Sequence, residues 1–84
     1  MERVDILAVI NLVLSSKGAP PVADDDTPMR DAGLRSLDFS EVALRIEDQL
    51  EYELNFDAAS MRRIRTIRDV IDFFTLAANP DAVA

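Results

Sequence analysis

Ser36 stands in the stretch "DAGLRSLDFSEVALRIEDQL", residues 31–50, directly after Arg35 and at the start of an amphipathic pattern. A serine hydroxyl acts as a nucleophile only when a base lies within reach, and this chain has no histidine and no cysteine. The nearest downstream carboxylate, Asp38, is more simply explained by the dipole at a helix start. Two roles remain for the hydroxyl. It can be the N-cap, accepting a backbone N–H of the first turn for about 1 kcal/mol. It can also be a substrate, because the amides at a helix N-terminus stabilise a covalently attached phosphate. No residue is assigned a catalytic role, so the chain is not expected to be an enzyme. Without Cys or His, no metal site is expected either.

The elements that must position Ser36 follow from periodicity. Residues 2–16 predict a first helix, with Glu2 and Asp5 in its first turn and Lys17-Gly18 as its stop. Its apolar positions cover more than one stripe, so it should be heavily buried. Residues 17–35 carry Pro20-Pro21, Asp24-Asp25-Asp26, Pro28 and Gly33 without a sustained period, which predicts a long loop. A connection of that length inside a compact domain is usually functional or partly ordered, and Val22 and Met29 could pin it to the core. From Ser36 to Leu50, Phe39, Val42, Ala43, Ile46 and Leu50 share one helical face. Leu54 and Phe56 are expected core anchors, and a short helix is expected at about 57–62. Thr66 and Asp69 form a capping-box pair that opens a last helix over 66–78, ended by Asn79-Pro80. The expected architecture is one all-α domain over 1–84, a small four-helix bundle of three main helices and one short one.

The helix from Ser36 has a second face. With Ser36 at 0°, the core residues cluster near 300°, whereas Leu37 and Leu44 fall at about 100° and 80°. Glu41, Glu47, Asp48 and Glu51 surround these leucines, so the pattern is an apolar patch rimmed by carboxylates. Two unrelated exposed leucines would be unremarkable, but the spacing of seven and the acidic rim favour a docking surface for a basic partner.

Composition narrows the function further. A net charge of −7 over 84 residues argues against nucleic acid as a partner, since phosphates must be met by a surplus of Lys and Arg. The acidic field is uneven: residues 1–60 hold 13 acids and 5 bases, and residues 61–84 hold 3 acids and 4 bases. The longest apolar run near the N-terminus, Ile6 to Ile10, is too short to span a bilayer and lacks a basic leader. A cytoplasmic protein with no membrane partner is expected.

Asp31, Gly33, Ser36 and Leu37 occupy the positions of a D-x-G-x-D-S-L loop. Together with the acidic second helix and the Thr-capped last helix, they make the chain resemble the acyl carrier proteins, or phosphopantetheine carrier domains, over nearly its whole length. The resemblance implies that Ser36 receives the 4'-phosphopantetheine arm of coenzyme A from a phosphopantetheinyl transferase, so that the transferase supplies the missing base. It implies a freestanding, monomeric carrier that holds acyl intermediates of fatty acid or polyketide type as thioesters. Its partners would be acyl-loading and acyl-processing enzymes with basic docking patches. Aminoacyl or peptidyl cargo, or an unmodified carrier-like interaction module, are the alternatives. By the same resemblance, Arg35, Leu37, Asp38, Glu41, Leu44, Glu47 and Asp48 would meet partners, and Phe39, Val42 and Ile46 would line an acyl cleft.

The departure from the family pattern is Arg35, where an aspartate is usual. Helix capping then falls to Ser36 or Asp38, partner recognition changes by two charge units, and the guanidinium is placed to pair with a phosphodiester. The arginines at 62, 63, 65 and 68 read chiefly as a solvated patch offsetting acids such as Glu51 and Glu53, and alternatively as a contact surface.

Overall fold

A computed structural model describes residues 1–54 and 58–79. Helix α1 spans Arg3–Ser16, α2 Ser36–Leu50, α3 Ala58–Met61 and α4 Ile67–Ala78. Among the described residues no strand forms; Pro28 and Thr66 make one isolated antiparallel bridge. The all-α expectation therefore holds. Phe56 and Pro80, invoked in the sequence reading, and residue 57, where the short helix was expected to start, lie outside the described residues.

Helices α2 and α4 bury the faces that their periodicities mark, whereas α1 buries one face and leaves Val4 and Leu12 exposed, less burial than its apolar content suggests. Ile6, Ile10, Val13 and Leu14 of α1 meet Val42 and Ile46 of α2 and Ile67, Val70 and Phe74 of α4, all fully buried. The rings of Phe39, Phe73 and Phe74 cluster, with the Phe39 and Phe74 centroids 5.0 Å apart. The expected anchor Leu54 is buried. Helix starts are secured by short-range carboxylates: Asp5 accepts from Glu2 N at 2.8 Å, and Asp69 accepts from Thr66 N at 3.1 Å while Thr66 Oγ1 accepts from Asp69 N. Just past the end of the first helix stands Gly18, whose φ of +78° lets the chain turn so that Ala19 N reaches Leu14 O at 2.9 Å.

The segment between α1 and α2 is ordered by contacts that reach far along the chain. Val22 N donates to Asn11 Oδ1, Met29 N to Arg65 O, Ile67 N to Thr27 O and Arg68 N to Asp25 O, all at 3.0 Å or less. Val22 and Met29 pack against the core as expected, and Leu34, just before α2, is fully buried within it. This segment thus delivers Arg35 and Ser36 to the head of α2 from a fixed direction.

Candidate functional site

The start of α2 lies one residue earlier than a Ser36 cap would place it. Arg35 is the extended residue at the boundary, with φ −98° and ψ −179°, and Ser36 is the first helical residue. The reason is Asp38, whose Oδ2 accepts from Arg35 N at 2.9 Å and so closes the first turn. The alternative in which Ser36 caps the helix is thereby corrected, and capping rests on Asp38. The same oxygen accepts from Lys17 Nζ at 2.6 Å, and Lys17 also donates to Gly33 O at 2.8 Å, tying the end of α1 to the approach to α2. The Lys17 bond, followed by the Arg35 N–H, holds the Asp38 carboxyl below its ordinary pKa. A carboxylate so engaged is a poor base. Ser36, exposed and unassisted, cannot activate its own hydroxyl, so any bond made there needs a base from another protein.

Ser36 opens onto a groove of about 230 Å³ lined by Met29, Ser36, Phe39, Ser40, Met61 and Ile64. Of the residues expected to line an acyl cleft, Phe39 reaches this groove, whereas Val42 and Ile46 are fully buried in the core beneath it. Met29, Met61 and Ile64 were not foreseen as lining residues. Two of them come from segments without a helical period, and the loop-to-Arg65 hydrogen bond is what brings them together.

Leu37 and Leu44 project from the outer face of α2, 85% and 65% exposed. They share a shallow surface with Ser40, Glu41, Arg45 and Asp48. Glu41 pairs with Arg45 one turn on at 3.0 Å. Glu47 sits at the edge of the face, where its Oε2 accepts from Leu54 N at 2.7 Å and fixes the chain after α2. Asp38 and Glu47 thus serve the fold as well as any surface, while Asp48 stays exposed. Arg68, grouped above with the other arginines, pairs with Asp25 at 3.2 Å and Asp26 at 2.7 Å rather than with Glu51 or Glu53, and these carboxylates raise its pKa.

Residues 6–74 match the family model for the phosphopantetheine attachment site. The chain belongs to the phosphopantetheine-binding carrier protein family. It is a carrier, not an enzyme, and its cofactor is covalently attached 4'-phosphopantetheine. The fold agrees: it is similar to the crystal structure of an acyl carrier protein from Thermotoga maritima, with a TM-score of 0.70 and 23% identity, covering 95% of this chain and 94% of that one. No curated protein matches the carrier significantly. The residues at the head of α2 fit a phosphodiester. Arg35 offers no acceptor to the first-turn amides, and its own guanidinium makes no ion pair among the described residues, acting on Asp38 only through space. No helix among the described residues is long and apolar enough to cross a membrane.

Proposed function

We propose that Ser36 carries the phosphopantetheine arm and that the protein is a freestanding, monomeric, cytoplasmic acyl carrier delivering its cargo to partner enzymes. The observation that carries this reading is the exposed Ser36 hydroxyl at the first position of α2, within the family match and on the rim of an apolar groove. When bound, the arm supplies a terminal thiol that holds an acyl group as a thioester, which removes any need for cysteine in the chain. The protein's own residues position and present. The end of α1 and the ordered loop fix Ser36, and the outer face of α2 offers Leu37 and Leu44, with Glu41 and Asp48 beside them, to a basic partner surface. Such an interface is steered by charge and remains weak enough to release. The apolar lining of Met29, Phe39, Met61 and Ile64 favours acyl over aminoacyl cargo.

Intact mass after incubation with coenzyme A, Mg²⁺ and a broad-specificity transferase tests the reading. The wild type should gain the mass of one phosphopantetheine, and Ser36→Ala should gain none. A wild type that no transferase modifies would make the protein an unmodified interaction module instead.

A further inference from the structure

Four of the nine cations pair with carboxylates: Arg3 with Asp72, Lys17 with Asp38, Arg45 with Glu41, and Arg68 with Asp25 and Asp26. The other five, Arg30, Arg35, Arg62, Arg63 and Arg65, are exposed and have no ion-pair partner among the described residues. In a chain of net charge −7 this segregation is unexpected, because 16 carboxylates compete for those cations. All five lie on the two segments that form the groove at Ser36. These segments are joined by the Met29 N to Arg65 O hydrogen bond at 2.8 Å and by the Pro28–Thr66 bridge.

The groove has a neighbour. A second depression of about 330 Å³ is lined by Pro28, Met29, Arg30, Asp31, Ile64 and Arg65. It shares Met29 and Ile64 with the groove at Ser36. Taken together as one trough, the two depressions are apolar beside Ser36 and charged at the far end, where the guanidinium groups of Arg30 and Arg65 stand with the carboxylate of Asp31, and Asp69 acts on Arg65 from the start of α4. A group tethered at Ser36 starts inside this trough, and tethering gives it a high effective concentration there. A chain that is apolar near the thioester and ends in a carboxylate matches both parts, since guanidinium recognises carboxylate through paired N–H donors.

We infer that the trough selects acyl cargo ending in a carboxylate, laid over Met29, Met61 and Ile64 and received by Arg30 and Arg65. The inference rests on attachment of the arm at Ser36 and deepens that reading by naming the cargo class. The occupant is the protein's own tethered cargo rather than an acidic partner, because the trough begins at the attachment residue.

The test loads ¹⁵N-labelled protein in one step from adipoyl-coenzyme A or hexanoyl-coenzyme A, two cargoes of equal carbon number that differ in the terminal carboxylate. Intact mass is read first, and the arginine side-chain N–H and methionine methyl signals are then recorded by NMR. The adipoyl form should shift the Arg30 and Arg65 side-chain signals, and the hexanoyl form should leave them where the uncharged arm does. Raising the salt should shrink the adipoyl effect. In Arg30→Gln/Arg65→Gln, adipoyl and hexanoyl forms should give the same methionine spectrum, and the variant should keep the wild-type circular dichroism spectrum, because among the described residues neither side chain makes an ion pair and Arg65 acts on Asp69 only through space. Correct mass with equal arginine shifts for the two cargoes would overturn the inference, leave the carrier reading standing, and reassign the arginines to a partner surface. Absence of the added mass would overturn both.

Discussion

Asp38→Ala is expected to loosen the platform on which Ser36 stands, and its cost follows from two bonds. The first, from Arg35 N at 2.9 Å, closes the first turn of α2; losing a side-chain acceptor of this kind costs about 1 kcal/mol. The second, from Lys17 Nζ at 2.6 Å, joins α2 to the end of α1 between side chains that are 34% and 16% exposed. For a partly exposed pair roughly 0.2–1 kcal/mol is lost. Alanine's better helix propensity returns a few tenths, leaving about 1 to 1.5 kcal/mol. In a domain of this size that lowers Tm by roughly 4–12 °C. Asp38→Asn keeps an acceptor for the Arg35 N–H and should lose less, while Lys17→Met should keep that cap and lose the ion pair together with the bond to Gly33 O.

The pH dependence gives a sharper reading of the same substitution. The folded-state pKa of Asp38 is depressed by Lys17 and the Arg35 amide. Its contribution is therefore fully present above the unfolded-state value of about 3.9, and it is lost as pH falls through the lower folded value. Melting followed by circular dichroism should show a constant gap between wild type and Asp38→Ala from pH 7 to about pH 5, closing below pH 4. Asp69, depressed by the amides of Arg65 and Thr66, remains in both proteins and keeps an acid limb in each. A Tm for Asp38→Ala equal to wild type at pH 7, or a gap that does not narrow in acid, would refute the role given to this carboxylate.

Leu37→Ala/Leu44→Ala should leave stability within about 0.5 kcal/mol of wild type, because both leucines are exposed, yet should slow modification by the transferase. Paired urea titrations and modification time courses check this, and modification of the wild type should also slow at high ionic strength. Phe74→Ala removes a fully buried ring that packs 5.0 Å from Phe39 and 5.2 Å from Phe73, and should cost about 3–5 kcal/mol by urea denaturation. Gly33→Ala meets only ordinary contacts at 3.7 and 3.8 Å, so its cost should come from the backbone, at φ +91°, and amount to roughly 1–2 kcal/mol in the same assay.

What could be read in advance divides along a physical line. The faces of α2 and α4 were legible because a helix turns each apolar residue by a fixed angle, so Phe39, Val42, Ile46, Val70 and Phe74 announce their burial through spacing alone; in α1, apolar nearly all round, spacing did not separate buried Ile6 and Ile10 from exposed Val4 and Leu12. The outward leucines of α2 were legible for the same reason. Leu34 was not, since one apolar residue in an aperiodic stretch has no partners in sequence to mark it, and its burial depends on where the loop lies. Lys17 with Asp38, and Asp25 with Arg68, are joined across 21 and 43 residues, and no local rule selects those partners from among 16 acids. The trough at Ser36 belongs to this second kind. Arg30 and Arg35 lie on one segment and Arg62, Arg63 and Arg65 on another. Read along the chain they are two ordinary basic stretches, and it takes long-range contacts such as the hydrogen bond from Met29 N to Arg65 O and the Pro28–Thr66 bridge to make them one surface. The face of α2 proposed for docking is therefore written in helical periodicity, whereas the residues that would choose the cargo are assembled by the loop. Changing those loop and groove residues should alter the cargo without altering how the carrier docks.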